Sequence, residues 1–198
     1  MTTNEWDDFA TDWDVNDDVR EYSEKAFHSW QKKVAPAISD LSKCRVLDFG
    51  CGTGLLAEKL ARKCGQVVAV DSSPKMVEVL DRKIEQSGTT NIVTSNITVN
   101  ARSAKDHPLL ASKFDLIVAS SVCSFLTDYD ATLRDLSSLI KPGGWFVQWD
   151  WISDMPEERI SKAFRAAKLV EHSVVTAFSM ESNGEKSPVI MGIGRKGF

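Results

Sequence analysis

From residue 44 onward the chain alternates short apolar runs with amphipathic stretches. The runs are CRVLDFG (44–50), QVVAVD (66–71), NIVTSNITV (91–99), FDLIVASSV (114–122) and WFVQWDW (145–151). Each is too short for a core helix and is bounded by turn residues, which predicts buried strands. The intervening segments 55–64, 73–88, 128–140 and 156–167 carry helical periodicity instead. Met76, Val77, Leu80 and Ile84 fall on one stripe, and Ile160, Ala163, Phe164 and Ala167 on another. Segment 73–88 has its own punctuation: a serine at the start, Pro74 in the first turn and Gly88 at the end. Lys141-Pro142-Gly143-Gly144 is expected to stop the helix 128–140. Two last strands, 168–180 and 187–195, flank ESNGEK, where Asn183-Gly184 signals a hairpin.

Strands alternating with helices predict an α/β fold. The expectation is a three-layer sandwich with a seven-stranded, mostly parallel sheet and helices on both faces. The closing hairpin must place one antiparallel C-terminal strand in that sheet. In open sheets of this kind ligands bind beyond the carboxyl ends of the strands. The residues to examine are therefore Asp48 to Gly54, Asp71 and Ser120 to Ser124. Before residue 41 the pattern changes. Trp6, Phe9 and Trp13, then Phe27 and Trp30, recur at helical spacing. Residues 1–40 are expected to form a helical cap or lid on a main domain of residues 41–198, within one compact whole.

Composition narrows the function. With 198 residues the chain has room for one domain with a proper core. Its net charge is −4 and its basic residues are scattered, so a nucleic-acid partner is not expected. The acidic start has no apolar run, and no stretch approaches the ~20 residues of a membrane span. The four cysteines form no C-x-x-C pair and only three histidines exist, so no metal site is expected. Reduced thiols and a cytoplasmic location follow. His28, His107 and His172 read as surface or packing residues, and Cys123 as a buried thiol.

The chemistry concentrates in VLDFGCGTG (46–54). Gly50, Gly52 and Gly54 fall on the turn from the first strand into the first helix, where a ligand can approach the main chain. Free N–H groups at the helix start would favour an anionic or polar ligand. A dinucleotide pattern counted from Gly50 meets Leu55 at its third place, and counted from Gly52 it meets Ala57, which is tolerated.

The motif D-x-G-C-G-T-G, the acid Asp71 closing the second strand and LIKPGGWFV before the fifth together resemble the class I S-adenosylmethionine-dependent methyltransferases, whose fold is Rossmann-like. The N-terminal WDDFATDWD is similar to the W-D-x-x-A-x-x-Y-D opening of many small-molecule members, with Trp13 in the tyrosine position. The resemblance implies S-adenosyl-L-methionine as cofactor, S-adenosyl-L-homocysteine as product and a small-molecule methyl acceptor.

By that resemblance Gly50, Cys51, Gly52 and Gly54 hold the methionine part and Asp48 orients it. Asp71 accepts the ribose hydroxyls, with Ser72 and Met76 flanking adenine. Trp13 closes over the cofactor, and Ser120 contacts it from the fourth strand. The acid that the family often carries after its third strand is missing. Its place falls on Arg102 or Ser103, and Ser103 becomes the candidate adenine contact. Ser124 stands where many relatives have histidine, and Asp150 is a candidate base or cation anchor. No catalytic residue is assigned. An NAD(P)-dependent oxidoreductase and a non-catalytic S-adenosylmethionine-binding protein stay open as alternatives.

Overall fold

The computed structural model describes residues 4–182 and 185–198, so the Asn183-Gly184 turn lies outside the described residues. Seven strands form one mixed sheet in the order β3-β2-β1-β4-β5-β7-β6. They are β1 (Arg45–Phe49), β2 (Gln66–Asp71), β3 (Ile92–Asn96), β4 (Phe114–Ser120), β5 (Ile140–Trp151), β6 (Leu169–Ser182) and β7 (Glu185–Lys196). The chain divides into two compact units, one through Thr98 and the other from Val99.

In the first unit β1, β2 and β3 pair in parallel. The middles of β1 and β2 are fully buried, as their unbroken apolar runs require. Helix α2 (Leu55–Ala61) turns Leu56, Ala57 and Leu60 into the core. Helix α3 (Pro74–Ser87) starts where the Ser73 hydroxyl accepts the Met76 N–H and ends at Gly88 with φ +67°. Helix α1 (Asp17–Lys33) is capped by Asn16 and buries Tyr22, Ala26, Phe27 and Trp30. The spacing at 6, 9 and 13 predicts a helix there too. The structure has two short 3-10 turns instead, Glu5–Asp8 and Trp13–Val15. Side chains of that stretch bond elsewhere rather than along a helix face.

In the second unit β4 and β5 are parallel, and β7 runs antiparallel to both β5 and β6. The antiparallel strand expected from the closing hairpin is therefore β7, inserted between β5 and β6. Helix α4 (Ala101–Asp106) fills a stretch for which the sequence predicts no element. Helices α5 (Tyr129–Ser138) and α6 (Glu157–Ala166) bury Leu133 and Leu136, and Ile160 and Phe164. Lys141-Pro142-Gly143-Gly144 does not separate helix from strand as expected. It is a bulge inside β5, because Phe114 pairs with Ile140 while Leu116 already pairs with Trp145. Gly143 adopts φ +76°, and a Cβ on Gly144 would stand 2.9 Å from the Asp115 carbonyl oxygen.

Candidate functional site

The glycine turn of the first unit is built by conformations that side chains resist. Gly50, Gly52 and Gly54 have φ of +68°, +54° and +86°. A Cβ on Gly54 would stand 2.2 Å from Leu80 Cδ1, so the turn can close onto α3 only with glycine there. The turn then satisfies its own amides. Gly50 and Cys51 N–H donate to the Val70 carbonyl (2.9 and 3.0 Å), and Gly54 N–H donates to Cys51 O (2.9 Å). Gly52 N–H donates to Asp71 Oδ2 at 2.8 Å. These four amides are thus spent on β2 and on the turn itself; the free N–H groups expected at the start of α2 are a separate set, of which Ala57 N–H bonds Asp48. The buried Cys51 thiol points back to the Gly52 carbonyl at 3.4 Å.

Two carboxylates remain. Asp71 also accepts the Ser73 N–H on Oδ1 at 2.8 Å. It joins the glycine turn to the start of α3, and each oxygen keeps a second lone pair. Burial pushes its carboxyl above the usual range, against the backbone donors that pull it down. Asp48 is 1% exposed, and its Oδ2 has no partner among the described residues. Burial first and the neighbouring Asp71 charge second raise the Asp48 carboxyl to about 7, while the Ala57 N–H opposes that rise. An orphaned buried carboxylate oxygen beside a second acid is chemically a seat for a cation.

The N-terminal stretch is tied to this turn by Asp7 and Asp14, the two acids of the W-D-x-x-A-x-x-Y-D pattern, to which the sequence assigns no role of their own. Asp7 is buried, accepts the Ser73 hydroxyl proton at 2.6 Å and takes the Lys75 N–H at 3.4 Å. Asp14 accepts from the Thr53 hydroxyl (2.5 Å) and from Lys83 (2.9 Å), and Lys83 also reaches Glu58 at 2.6 Å. The Trp13 indole nitrogen lies 3.6 Å from where a Cβ on Gly52 would stand. Trp13 meets Trp6 and Phe9 edge-on, at centroid distances of 6.1 and 6.5 Å. The opening pattern marks both acids, and their distant partners show what they hold. Ser72 accepts from the Asn4 amide at 3.1 Å. Met76 is 2% exposed and belongs to the buried stripe of α3.

In the second unit Ser103 is the N3 residue of α4. It closes a capping box with Asn100, whose N–H donates to the Ser103 hydroxyl at 2.9 Å. Ser120 ends β4, half-buried and in register with Trp149. Asp150 is not a solvent-facing strand end: it has no exposed surface. Burial raises its carboxyl to about 7, opposed by donors from Gln148, Ser124 and Cys123. Cys123 is buried and its thiol is pushed up by that burial and by Asp150, which suits an inert thiol. The histidines have local tasks. His107 accepts the Leu109 N–H, His172 contacts the Leu169 carbonyl and His28 lies 3.7 Å from Glu24.

The sheet order, the glycine turn and the acid ending β2 define a class I methyltransferase. Residues 47–146 match the family described as a methyltransferase domain, and the chain belongs to that family. It is similar to the ubiquinone biosynthesis O-methyltransferase of Methylocella silvestris, 38% identical over 104 residues, covering 52% of this chain and 38% of that protein. The Paracidovorax citrulli enzyme of the same name is 30% identical over 135 residues, covering 67% and 53%. The chain thus spans about half or less of the length of these curated relatives. Among solved structures, a chain of the complex between the Haloferax volcanii Trm112 methyltransferase activator and the putative methyltransferase matches over the full length of both chains. Its TM-score is 0.73 at 17% identity. Magnesium protoporphyrin IX methyltransferase from Synechocystis, with bound SAH, matches with a TM-score of 0.67 at 19% identity, covering 93% and 85%. At these identities the likeness to both structures is one of fold.

Proposed function

We propose that the chain binds S-adenosylmethionine at the glycine turn and transfers its methyl group to a hydroxyl of a small-molecule acceptor, releasing S-adenosylhomocysteine. The observation that carries this reading is the unpartnered Asp48 oxygen beside a turn whose glycine amides are already bonded. A dinucleotide brings a pyrophosphate, which needs free N–H donors and repels acids. S-adenosylmethionine brings an ammonium and a sulfonium, which suit Asp48 and the acidic surroundings of Asp71 and Asp7. The names of the curated relatives support oxygen as the acceptor atom.

When bound, the cofactor supplies a methyl group already activated on sulfur. The residues of this chain bind and orient. Asp48 Oδ2 takes the ammonium, and the free lone pairs of Asp71 accept the ribose hydroxyls. The turn at Gly50, Gly52 and Gly54 admits the methionine part, and Trp13, Ser72 and Met76 of the same unit complete the proposed enclosure. Residues 5–15, held by Asp7 and Asp14, form its strap and keep water from the methyl. Alignment for in-line displacement is the main rate factor in such a transfer. The four cysteines are buried free thiols, in keeping with a reducing, cytoplasmic setting. No helix of the described residues is long and apolar enough to cross a membrane.

Calorimetric titration with S-adenosylmethionine, S-adenosylhomocysteine and NAD(H) tests the site. Micromolar binding of the two adenosyl compounds with none of NAD(H) is expected, and NAD(H) binding alone overturns the reading. Release of S-adenosylhomocysteine on addition of any member of a panel of hydroxyl-bearing small molecules shows an enzyme rather than a binding protein.

A further inference from the structure

Two of the four cysteines stand together in the first unit, at the opposite end of β1 and β2 from the glycine turn. Cys44 directly precedes β1, and Cys64 lies between α2 and β2. The main chain of each is fixed on both sides. Cys44 N–H donates to the Leu41 carbonyl at 3.0 Å, and the Cys44 carbonyl accepts the Gly65 and Gln66 N–H groups at 3.0 and 3.2 Å. Cys64 N–H donates to the Leu60 carbonyl at 2.8 Å, and the Cys64 carbonyl accepts from the Asn91 amide at 3.1 Å. Glycine at 65 lets the two segments close on each other, because a Cβ there would stand 2.5 Å from the Ser42 carbonyl oxygen. Across that junction the thiols meet: the Cys44 thiol donates to the Cys64 sulfur. They are 2% and 4% exposed. Each is one residue from an exposed lysine, Lys43 or Lys63, so the junction lies just beneath the surface.

The other two cysteines are different. Burial first, then nearby acids, push the Cys51 and Cys123 thiols well above their ordinary range. The bond from Cys44 instead draws the Cys64 thiol below its ordinary range, against the burial that raises it. The thiolate is the form that attacks an oxidant. Cys64 is therefore the nucleophile of the pair, and Cys44 is already in contact to resolve what it forms.

We propose that Cys44 and Cys64 are a peroxide-responsive pair whose disulfide locks the unit made of β1, the glycine turn and α2. The Cys64 thiolate attacks hydrogen peroxide. An S–O bond forms, the O–O bond breaks, and the leaving hydroxide takes up the proton that the thiol released, giving water. The Cys44 sulfur then attacks the Cys64 sulfenic sulfur. An S–S bond forms, the S–O bond breaks, and the leaving hydroxide takes the Cys44 proton, giving a second water. The two thiols lose two electrons and the peroxide gains them. Contact between the sulfurs lets Cys44 intercept the sulfenic acid before more peroxide carries it to the irreversible sulfinic state. The link closes residues 44–64 into a ring, which removes conformations from the unfolded chain. This inference does not depend on the methyltransferase reading.

The test uses the full chain and hydrogen peroxide in slight excess, followed by alkylation in denaturant and peptide mass spectrometry. A Cys44–Cys64 cross-linked peptide is expected, with Cys51 and Cys123 alkylated. The oxidised protein should melt about 5–10 °C above the reduced one, and dithiothreitol should reverse the shift. Each variant is compared with itself before and after peroxide, so a change in basal stability does not imitate the result. Cys44→Ser and Cys64→Ser should abolish the shift, and Cys123→Ala should keep it. In Cys44→Ser, Cys64 should go on to the sulfinic acid. Peroxide that leaves both thiols open to alkylation, a different pairing, or a linked protein that melts no higher than the reduced one overturns the proposal.

Discussion

Replacing Asp48 with Asn keeps the shape of the side chain and its acceptor for the Ala57 N–H, and removes one titrating charge. In the wild type that carboxyl is raised to about 7. If the cofactor ammonium binds the ionised form, the competent fraction rises from about 0.1 at pH 6 to about 0.9 at pH 8. Affinity for S-adenosylmethionine should therefore climb about tenfold over that window. The Asn variant should show a flat profile, weaker at pH 8 by about 10- to 100-fold for a lost charged hydrogen bond. Stability moves the other way. The folded carboxyl titrates above its unfolded value of 3.8, so the native state binds the extra proton between the two. This stabilisation is full below about pH 3.8 and is lost as pH rises through 7, with an upper limit of about 4 kcal/mol. The Asn variant escapes that loss. At pH 8 it should melt several degrees above wild type, and at pH 4 level with it. Calorimetric titration across pH 5.5–8.5 and thermal denaturation from pH 4 to 8.5 measure both arms. A flat affinity profile in the wild type would refute the role of Asp48 as the cation's partner. Equal melting temperatures at pH 8 would refute its unpaired burial.

Further expectations concern the surrounding turn and strap. Asp71→Ala removes the acceptor for both Gly52 and Ser73 and should weaken S-adenosylmethionine binding by ~1–3 kcal/mol by calorimetry. An unchanged dissociation constant would sink the ribose assignment. Gly54→Ala meets Leu80 as well as an unfavourable φ and should cost about 2–4 kcal/mol in urea denaturation. Gly88→Ala meets nothing within 4 Å and should cost only about 1 kcal/mol; equal costs would contradict the close approach of α3. Lys83→Met frees Asp14 and Glu58 and should speed proteolytic cleavage within residues 5–15. A cleavage rate equal to wild type would mean that Lys83 does not hold the strap, leaving that to Asp7 with Ser73, Asp14 with Thr53 and the aromatic rings.

What could be read along the chain were features governed by neighbours in sequence. Strand runs, the capped helix from Ser73 to Gly88 and the glycine turn all depend on local backbone preference and on periodic burial. The sequence named Asp48 and Asp71 because an acid beside a glycine turn has few local explanations. It missed α4, whose cap at Asn100 and Ser103 lies in a polar stretch without an apolar stripe. It also misplaced Lys141–Gly144, since a bulge shows only when β4 supplies the register.

Local chemistry determined the class of fold, the place of the turn and the acids that flank it. Tertiary structure alone decided how those groups are charged and partnered. Asp7 meets Ser73 and Asp14 meets Lys83 across 66 and 69 residues of chain. Asp150, an apparent strand-end acid, is closed off from water and bonded to Gln148 and Ser124. The glycine amides are bonded, those of Gly50 and Gly52 to Val70 and Asp71 of β2 and that of Gly54 to Cys51. The physical reason is the same in each case. Side-chain type follows from sequence, but desolvation and hydrogen-bond partners depend on which distant segments fold against that side chain.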